Sequence, residues 1–393
     1  MTQISLTAAN TLPEDGLAGC FVGRVWLPGD WGGPTPVLVS DDGVFDLLSV
    51  SPTLSGLLAM ENPTAAAIEG KGVRLGDVEA MLANGAHDNR DSEQPYFLAP
   101  ADLQALKACG VTFVSSMLER VIEEQAKGDP DKAAEIRNAI GAEIGQSLVD
   151  IAPGSDEAER VKVVLEERGL WSQYLEVGIG PDAEVFTKSQ PMAAVGIGAE
   201  IGIHPKSSWN NPEPEIVLAI APDSRIVGAC LGNDVNLRDF EGRSALLLGK
   251  AKDNRASCAV GPFIRLFDDG FNLGHVRAMD ISLWVSGSDG FELQGSSSIA
   301  EISRDLADLA TYACGPHNHF PDGLLLFTGT MFAPTEDRDA PGQGFTHHLG
   351  DIVTIANPLL GSLTNQINHT DKIPPWTFGV GALLANLSAR NLL

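Results

Sequence analysis

The spacing of apolar positions changes twice along the chain. Over residues 17–49 they form short runs, "CFVGRVWL", "PTPVLVS" and, after an Asp42-Gly43 turn, "VFDLL", which predicts a small meander or hairpin. "SPTLSGLLAME" and "GDVEAMLANG" read as helices, and the polar, irregular "AHDNRDSEQPYF" over 86–97 marks a domain boundary. From 115 to about 176 the period becomes helical. "SSMLERVIEEQAKG" starts on serines and stops at Gly128, and "SDEAERVKVVLEERG" runs from Ser155 to Gly169. Between them, "DPDKAAEIRNAIGAEIG" opens with Asp129 as N-cap and Pro130 at the first helical position. Beyond 185 strands and turns dominate, with one further helix, "SRDLADLATYACG", closed by Gly315. No internal repeat or low-complexity tract is present. The expectation is an α+β protein with a small N-terminal α+β domain over 1–95. The larger part, 96–393, then carries a helical insertion at about 115–176.

One strand carries unusual polar punctuation. In "NNPEPEIVLAIAP" the run from Ile216 to Ala221 is short and β-branched and ends at Pro222, which predicts a buried strand. Pro214 biases Glu213 towards extended backbone. In an extended chain Glu213 and Glu215 leave the same face. Pro222-Asp223-Ser224 is a turn into a second apolar run, "RIVGACLGNDVNLRD", so the two should form an antiparallel hairpin. If it is symmetric about Asp223, Glu215 faces Leu231, Glu213 faces Asn233, and Asp234 arrives beside the two glutamates. Three oxygen donors without sulfur or imidazole suit Mg²⁺ or Mn²⁺ better than zinc. Three solvated edge acids would show the same spacing, and spacing alone leaves both readings open.

Composition narrows the setting. The 393 residues allow one large domain or two ordinary ones, and 44% hydrophobic residues with 42 glycines fit a turn-rich globular protein. A formal charge of −26 argues against nucleic acid and anionic membranes as partners and otherwise reads as a solvated acidic surface. The five cysteines, Cys20, Cys109, Cys230, Cys258 and Cys314, are scattered without a CxxC pair, which predicts buried thiols in a reducing compartment. "MTQISLTAANTLPEDGLAG" lacks the features of a secretory leader, and the apolar run "GLLLFTGTMFAP" falls short of the ~20 residues a membrane span needs. A soluble, cytoplasmic protein is expected.

Four further stretches add order to the picture. "PEPEIVLAIAP", "GNDVNLRDFEG", "LLGKAKDNRASCAVGPFIRL" and "DGLLLFTGTMFAP…LGDIVTI" resemble, in sequence and spacing, the fumarylacetoacetate hydrolase superfamily over about residues 185–390. The stretches "GVTFVSSMLERVIEE", "GLWSQYLEVGIGPDAEVFTK", "SSWNNPEPE" and "NDVNLRDFEGRSALLL" are similar to the bacterial 2-keto-3-deoxy-D-xylonate dehydratases of non-phosphorylative pentose oxidation. The resemblance implies a mixed β-roll, barrel-like catalytic domain and a homo-oligomer, dimer or tetramer. It implies Glu213, Glu215 and Asp234 as ligands of Mg²⁺, with Mn²⁺ as a substitute. It also implies Lys250 as the active-site lysine and Thr330 as a substrate-binding residue. Hydrolase members carry Tyr-x-x-His-x-x-Glu on a lid; the matching frame here is Phe113-x-x-Ser116-x-x-Glu119, which keeps the glutamate and places Ser116 against the substrate. Serine is no base near neutral pH without help, so hydrolysis fits poorly.

Elimination needs no activated water. A 2-keto-3-deoxy sugar acid can chelate a divalent ion through its carboxylate and ketone oxygen, which favours loss of a C3 proton. The enolate expels the C4 hydroxyl to leave a C3–C4 double bond; loss of a C5 proton and gain of one at C3 give the C4–C5 enol, which collapses to an aldehyde, giving 2,5-dioxopentanoate. Glu119 is assigned to proton transfer, and Lys250 either carries the other proton or stays charged to steady the enolate. A metal-dependent C–C hydrolase or decarboxylase of a 2-oxo acid is the alternative. His317, His319, His347 and His348 fit no zinc spacing and read as loop residues or supports of the site. Asp337-Arg338-Asp339 reads as a surface charge cluster, and Arg238 and Asp239 as a local pair. No dinucleotide or NTP motif is present.

Overall fold

The computed structural model describes all residues except 1–2, 31, 128, 130–131, 134–135, 137–150, 168, 170, 331–333, 335 and 341–343, and gives the backbone alone for 114–116. Strands β1 (Phe21–Leu27), β2 (Gly33–Ser40), β3 (Gly43–Asp46) and β4 (Arg74–Gly76) form the N-terminal meander. β5 (Tyr96–Leu98), β6 (Ala105–Gly110), β7 (Glu184–Ser189), β8 (Glu200–Ile203) and β9 (Asn210–Asn211) follow. The hairpin is β10 (Pro214–Ile220) and β11 (Ile226–Asp234), then come β12 (Asn236–Leu237) and β13 (Cys258–Leu266). β14 (Asp280–Ser286), β15 (Glu292–Ser298), β16 (Leu324–Phe327), β17 (Ile352–Asn357) and β18 (Gly361–His369) complete the set.

The larger sheet runs β4-β3-β2-β1-β13-β11-β10-β16-β6-β7, with β5 paired to β1. The smaller runs β15-β14-β17-β18-β8. Both are open, so the expected roll contains no closed barrel among the described residues. Because β1 pairs antiparallel with β13, the N-terminal meander shares a sheet with the strands that follow it.

β10 explains why its sequence is greasy without alternation. Ile216, Leu218 and Ile220 enter the core shared with Leu283, Ile355 and Leu363 of the smaller sheet. Val217 and Ala219, on the other face, join Val22, Val260, Phe327 and the helix residues Leu54 and Leu57. A strand buried on both faces reads as a continuous apolar run. Glu213 and Glu215 share the face of Val217, so the carboxylates emerge where that second core ends.

The predicted hairpin forms, but one residue out of register. A bulge between Ala219 and Ile220 sets Glu215 opposite Gly232 and Pro214 opposite Asn233. The extra residue moves Asp234 directly opposite Glu213, whose carbonyl accepts from the Asp234 amide at 3.0 Å. The helix expected from Ser115 spans Val114–Ala126 and is capped by Lys127 in the left-handed region. Helices Asp156–Glu167 and Leu306–Ala313 lie inside their predicted segments. Most of the helix expected from Asp129 lies outside the described residues. The C-terminal helix Val380–Ala389, which the sequence pattern did not suggest, packs back on the meander through Asn386 and the carbonyl of Gly32 at 2.8 Å. No described helix is long and apolar enough to cross a membrane. All five cysteines are buried and free.

Candidate metal centre

Glu213, Glu215 and Asp234 converge, each offering a carboxylate oxygen, with these oxygens within 4.8 Å of one another and all three residues buried. The loop after β16 closes one side. There Gly329 has φ +107, and a Cβ at this position would meet Thr112 Oγ1 at 1.8 Å, so only glycine brings the chain this close. Its amide donates to Glu215 at 2.7 Å, and Thr330 Oγ1 lies 3.4 Å from the same carboxylate.

Two cations face the cluster. Lys252 Nζ donates to Glu213 and, at 3.0 Å, to Asp234 Oδ2. Arg120 pairs with Glu213 from the helix Val114–Ala126. A third, Lys188, is wholly buried behind Asp234, with Nζ 2.7 Å from Oδ1, and also donates to the carbonyls of Val235 and Lys252. The sequence reading expected Lys250 here. The structure places Lys250 on the exposed surface near the Phe240 ring, with Lys252 turned inward. Two residues along a helix is about 200°, so only one of the pair can face the cluster.

Arg120 also continues an ion-pair chain. Its Nη1 reaches Glu123 at 2.7 Å; Glu123 accepts from Arg238 Nε at 2.6 Å; and Arg238 Nη2 lies 3.1 Å from Glu119. Arg238, expected to pair with its neighbour Asp239, instead spans these helix carboxylates and stacks on Trp209 at 4.4 Å. Asp239 accepts from Ser207 Oγ at 2.8 Å. Among the described residues, this chain of pairs links Glu119 to the centre through Arg238, Glu123 and Arg120. Ser116 lies on the same helix, and its side chain is outside what the structure describes.

A small polar cavity opens beside the carboxylates. Glu213, Asp234, Lys252, Arg120 and Thr330 line it together with Glu184 and Glu241, but Glu119 does not. Glu184, Phe186 and Lys188 alternate along β7 and so share one face. That Glu-x-Phe-x-Lys alternation within a strand was the sequence signal for Glu184 and Lys188. Glu241, in the helix Arg238–Glu241, is 4% exposed.

Charge balance in the cavity is uneven. Burial pushes the Glu213 carboxyl up, but Lys252 and Arg120 outweigh it and bring it down to about 2. Burial, then Asp234 and Glu213, hold the Glu215 carboxyl well above its usual range. Burial and the neighbouring Glu241 raise Glu184 to about 7. Burial lowers Lys252, but Asp234, Glu213 and Glu241 more than offset it, so the ammonium stays protonated. The donor set is all oxygen, and the shortage of positive charge falls on Glu215. These residues fit a hard divalent cation.

The histidine expectation resolves elsewhere. His347 is buried against Asp351 at 3.3 Å, and Arg338, expected on the surface, is buried between Asp351 (2.5 Å) and Asp289 (3.1 Å). This network holds the loop leading into β17 and contributes no ligand to the carboxylate cluster.

Residues 174–368 match the family described as Fumarylacetoacetate (FAA) hydrolase C-terminal. This segment is a fumarylacetoacetate hydrolase domain. It contains every carboxylate of the centre. Among curated relatives, 2-dehydro-3-deoxy-D-arabinonate dehydratase of Saccharolobus solfataricus is 29% identical over 190 residues, 48% of this chain and 60% of the relative. A "probable 2-keto-3-deoxyxylonate dehydratase" of Haloferax volcanii is 29% identical over 202 residues, 51% of this chain and 66% of the relative. The chain thus spans less than two thirds of either. The fold is shared with a solved 2-keto-3-deoxy-D-arabinonate dehydratase complexed with magnesium and 2,5-dioxopentanoate, at TM-score 0.59 and 20% identity, covering 89% of this chain and 99% of that one. A fumarylacetoacetate hydrolase from Exiguobacterium antarcticum has the same fold at TM-score 0.53 and 15% identity, covering 89% of this chain and 99% of that one.

Proposed function

We propose that this protein is a Mg²⁺-dependent dehydratase, with Mn²⁺ as substitute, that converts 2-keto-3-deoxy-D-xylonate (2-dehydro-3-deoxy-D-arabinonate) to 2,5-dioxopentanoate. The observation that carries this reading is the three-carboxylate cluster opening on a cavity that also holds the half-buried Glu184. The names of the curated relatives, and of the magnesium-bound structure with the same fold, support the substrate class.

Glu213, Glu215 and Asp234 would hold the ion. When bound, the ion supplies the positive charge that favours an enolate over its keto form. Glu184 is the proton carrier at C3: a carboxyl titrating near 7 is half in its basic form at neutral pH. Lys252, held protonated between Glu213 and Asp234, keeps those oxygens oriented and opposes the negative charge that develops on the substrate. Lys188 fixes Asp234 from behind. Thr330 and Gly329 fix Glu215 and limit how far a substrate enters. Glu119 and Arg238 set the position of the helix that carries Arg120.

The test is incubation with epimeric 2-keto-3-deoxy-pentonates and Mg²⁺, with product analysis. Formation of 2,5-dioxopentanoate is expected, while acylpyruvates, which present the same carboxylate and 2-oxo group, should inhibit without being cleaved. Rapid acylpyruvate cleavage with no aldehyde from any sugar acid would replace this reading with hydrolysis.

A further inference from the structure

Two cavity carboxyls remain after the metal ligands are assigned, and only one has been given work. Glu241 is buried, faces the cavity from the helix Arg238–Glu241, and its Oε2 has no hydrogen-bond partner among the described residues. Among the described residues the cation beside it is Arg120, whose Nη1 stands off at 3.5 Å. Leaving a buried acceptor without a partner is costly, and proteins retain such groups where a ligand or a proton completes them. Burial raises the Glu241 carboxyl against the opposing pull of Arg120 and Lys252, and Glu241 in turn helps burial raise Glu184, so both are drawn towards their protonated forms.

Resting on the dehydratase reading, we propose that Glu241 is the acid that protonates the departing C4 hydroxyl, opposite Glu184 as the base at C3. In this step the C3–H bond breaks and its proton passes to Glu184. The electron pair forms the enolate and then the C3–C4 double bond as the C4–O bond breaks. The hydroxyl leaves with the Glu241 proton as water. Nothing is oxidised or reduced; Glu184 ends protonated and Glu241 ionised, so the negative charge passes from Glu184 to Glu241. Two carboxyls in one cavity with different surroundings are a known way to divide acid and base roles. Glu119 pairs with Arg238 and does not line this cavity.

A leaving group that needs no proton separates this role from a structural one. The experiment compares the hydroxyl substrate with its 4-fluoro analogue, which expels fluoride, in wild type, Glu241→Gln and Glu184→Gln. Mn²⁺ binding is measured in parallel. Glu241→Gln should lose about 10²-fold in kcat on the hydroxyl substrate and keep most of its rate on the fluoride. Glu184→Gln should lose on both, and Mn²⁺ affinity should be retained in both variants. Equal losses by Glu241→Gln on the two substrates would overturn the assignment. If Glu241→Gln does not fold, Glu241→Asp, which keeps the acid but withdraws it, should show the same preference for fluoride, and no preference overturns the proposal. Wild type that turns over neither compound refutes the dehydratase reading itself, which keeps the two failures apart.

Discussion

Lys252 and Lys250 differ by two positions and by most of their environment. Lys252 is buried between two carboxylates, and removing one partner of such a pair costs about 3–5 kcal/mol because the other charges stay buried. Lys252→Met should therefore lower the melting temperature of the metal-free protein sharply and abolish turnover. Lys250→Met, at an exposed position, should change stability by less than about 0.5 kcal/mol and leave kcat near wild type. Calorimetry and steady-state rates on the two variants check this, and the reverse order would restore Lys250 to the centre. The pH dependence belongs to the same scale. Glu184 works as a base, so activity is present where it is deprotonated and falls as pH drops through about 7. A bound cation lowers that midpoint further, and Glu184→Gln should remove the limb along with most of the rate. The convergence of the three carboxylates was legible because proline, strand period and turn all pointed to one end of one hairpin. The lysine was not, because "GKAKD" offers two candidates and only the rotation of a five-residue helix chooses between them.

At the scale of elements, the helix Val114–Ala126 is tied to the centre by alternating charges: Glu119, Arg238, Glu123, Arg120 and Glu213. Glu123 is fully buried between two guanidinium groups, so Arg238→Met leaves it half-paired. We expect faster amide exchange throughout this helix, together with a fall in kcat, while exchange in β10 and β11 stays slow. Unchanged exchange in the helix would mean that apolar packing alone holds it. Glu119→Gln tests the other end of the chain. Acting on position rather than chemistry, it should cost less than Glu184→Gln, whereas a loss of about 10²–10⁴-fold would return Glu119 to proton transfer. The helix itself was readable from its 3.6 period, and the strand pair from its turn. The bulge was not, since Ala219, Ile220 and Gly228 carry no signal that separates a regular hairpin from one shifted by a residue.

Across the molecule, two open sheets enclose the main core, and the centre sits where the second core, on the far face of the larger sheet, gives way to polar groups. The α+β class and the strand-rich second half followed from period alone. The joining of the N-terminal meander to the larger sheet did not, because β1 and β13 are more than two hundred residues apart and non-local pairing leaves no local trace. The central claim, a divalent ion on Glu213, Glu215 and Asp234 that enables dehydration, is tested most directly by chelation and metal return. Protein stripped exhaustively with EDTA, shown metal-free by elemental analysis, is given 2-keto-3-deoxy-D-xylonate, and aldehyde formation is followed before and after Mg²⁺ or Mn²⁺ is added. No product without metal and full recovery with it is the expected result; undiminished production of 2,5-dioxopentanoate by the metal-free protein would contradict it.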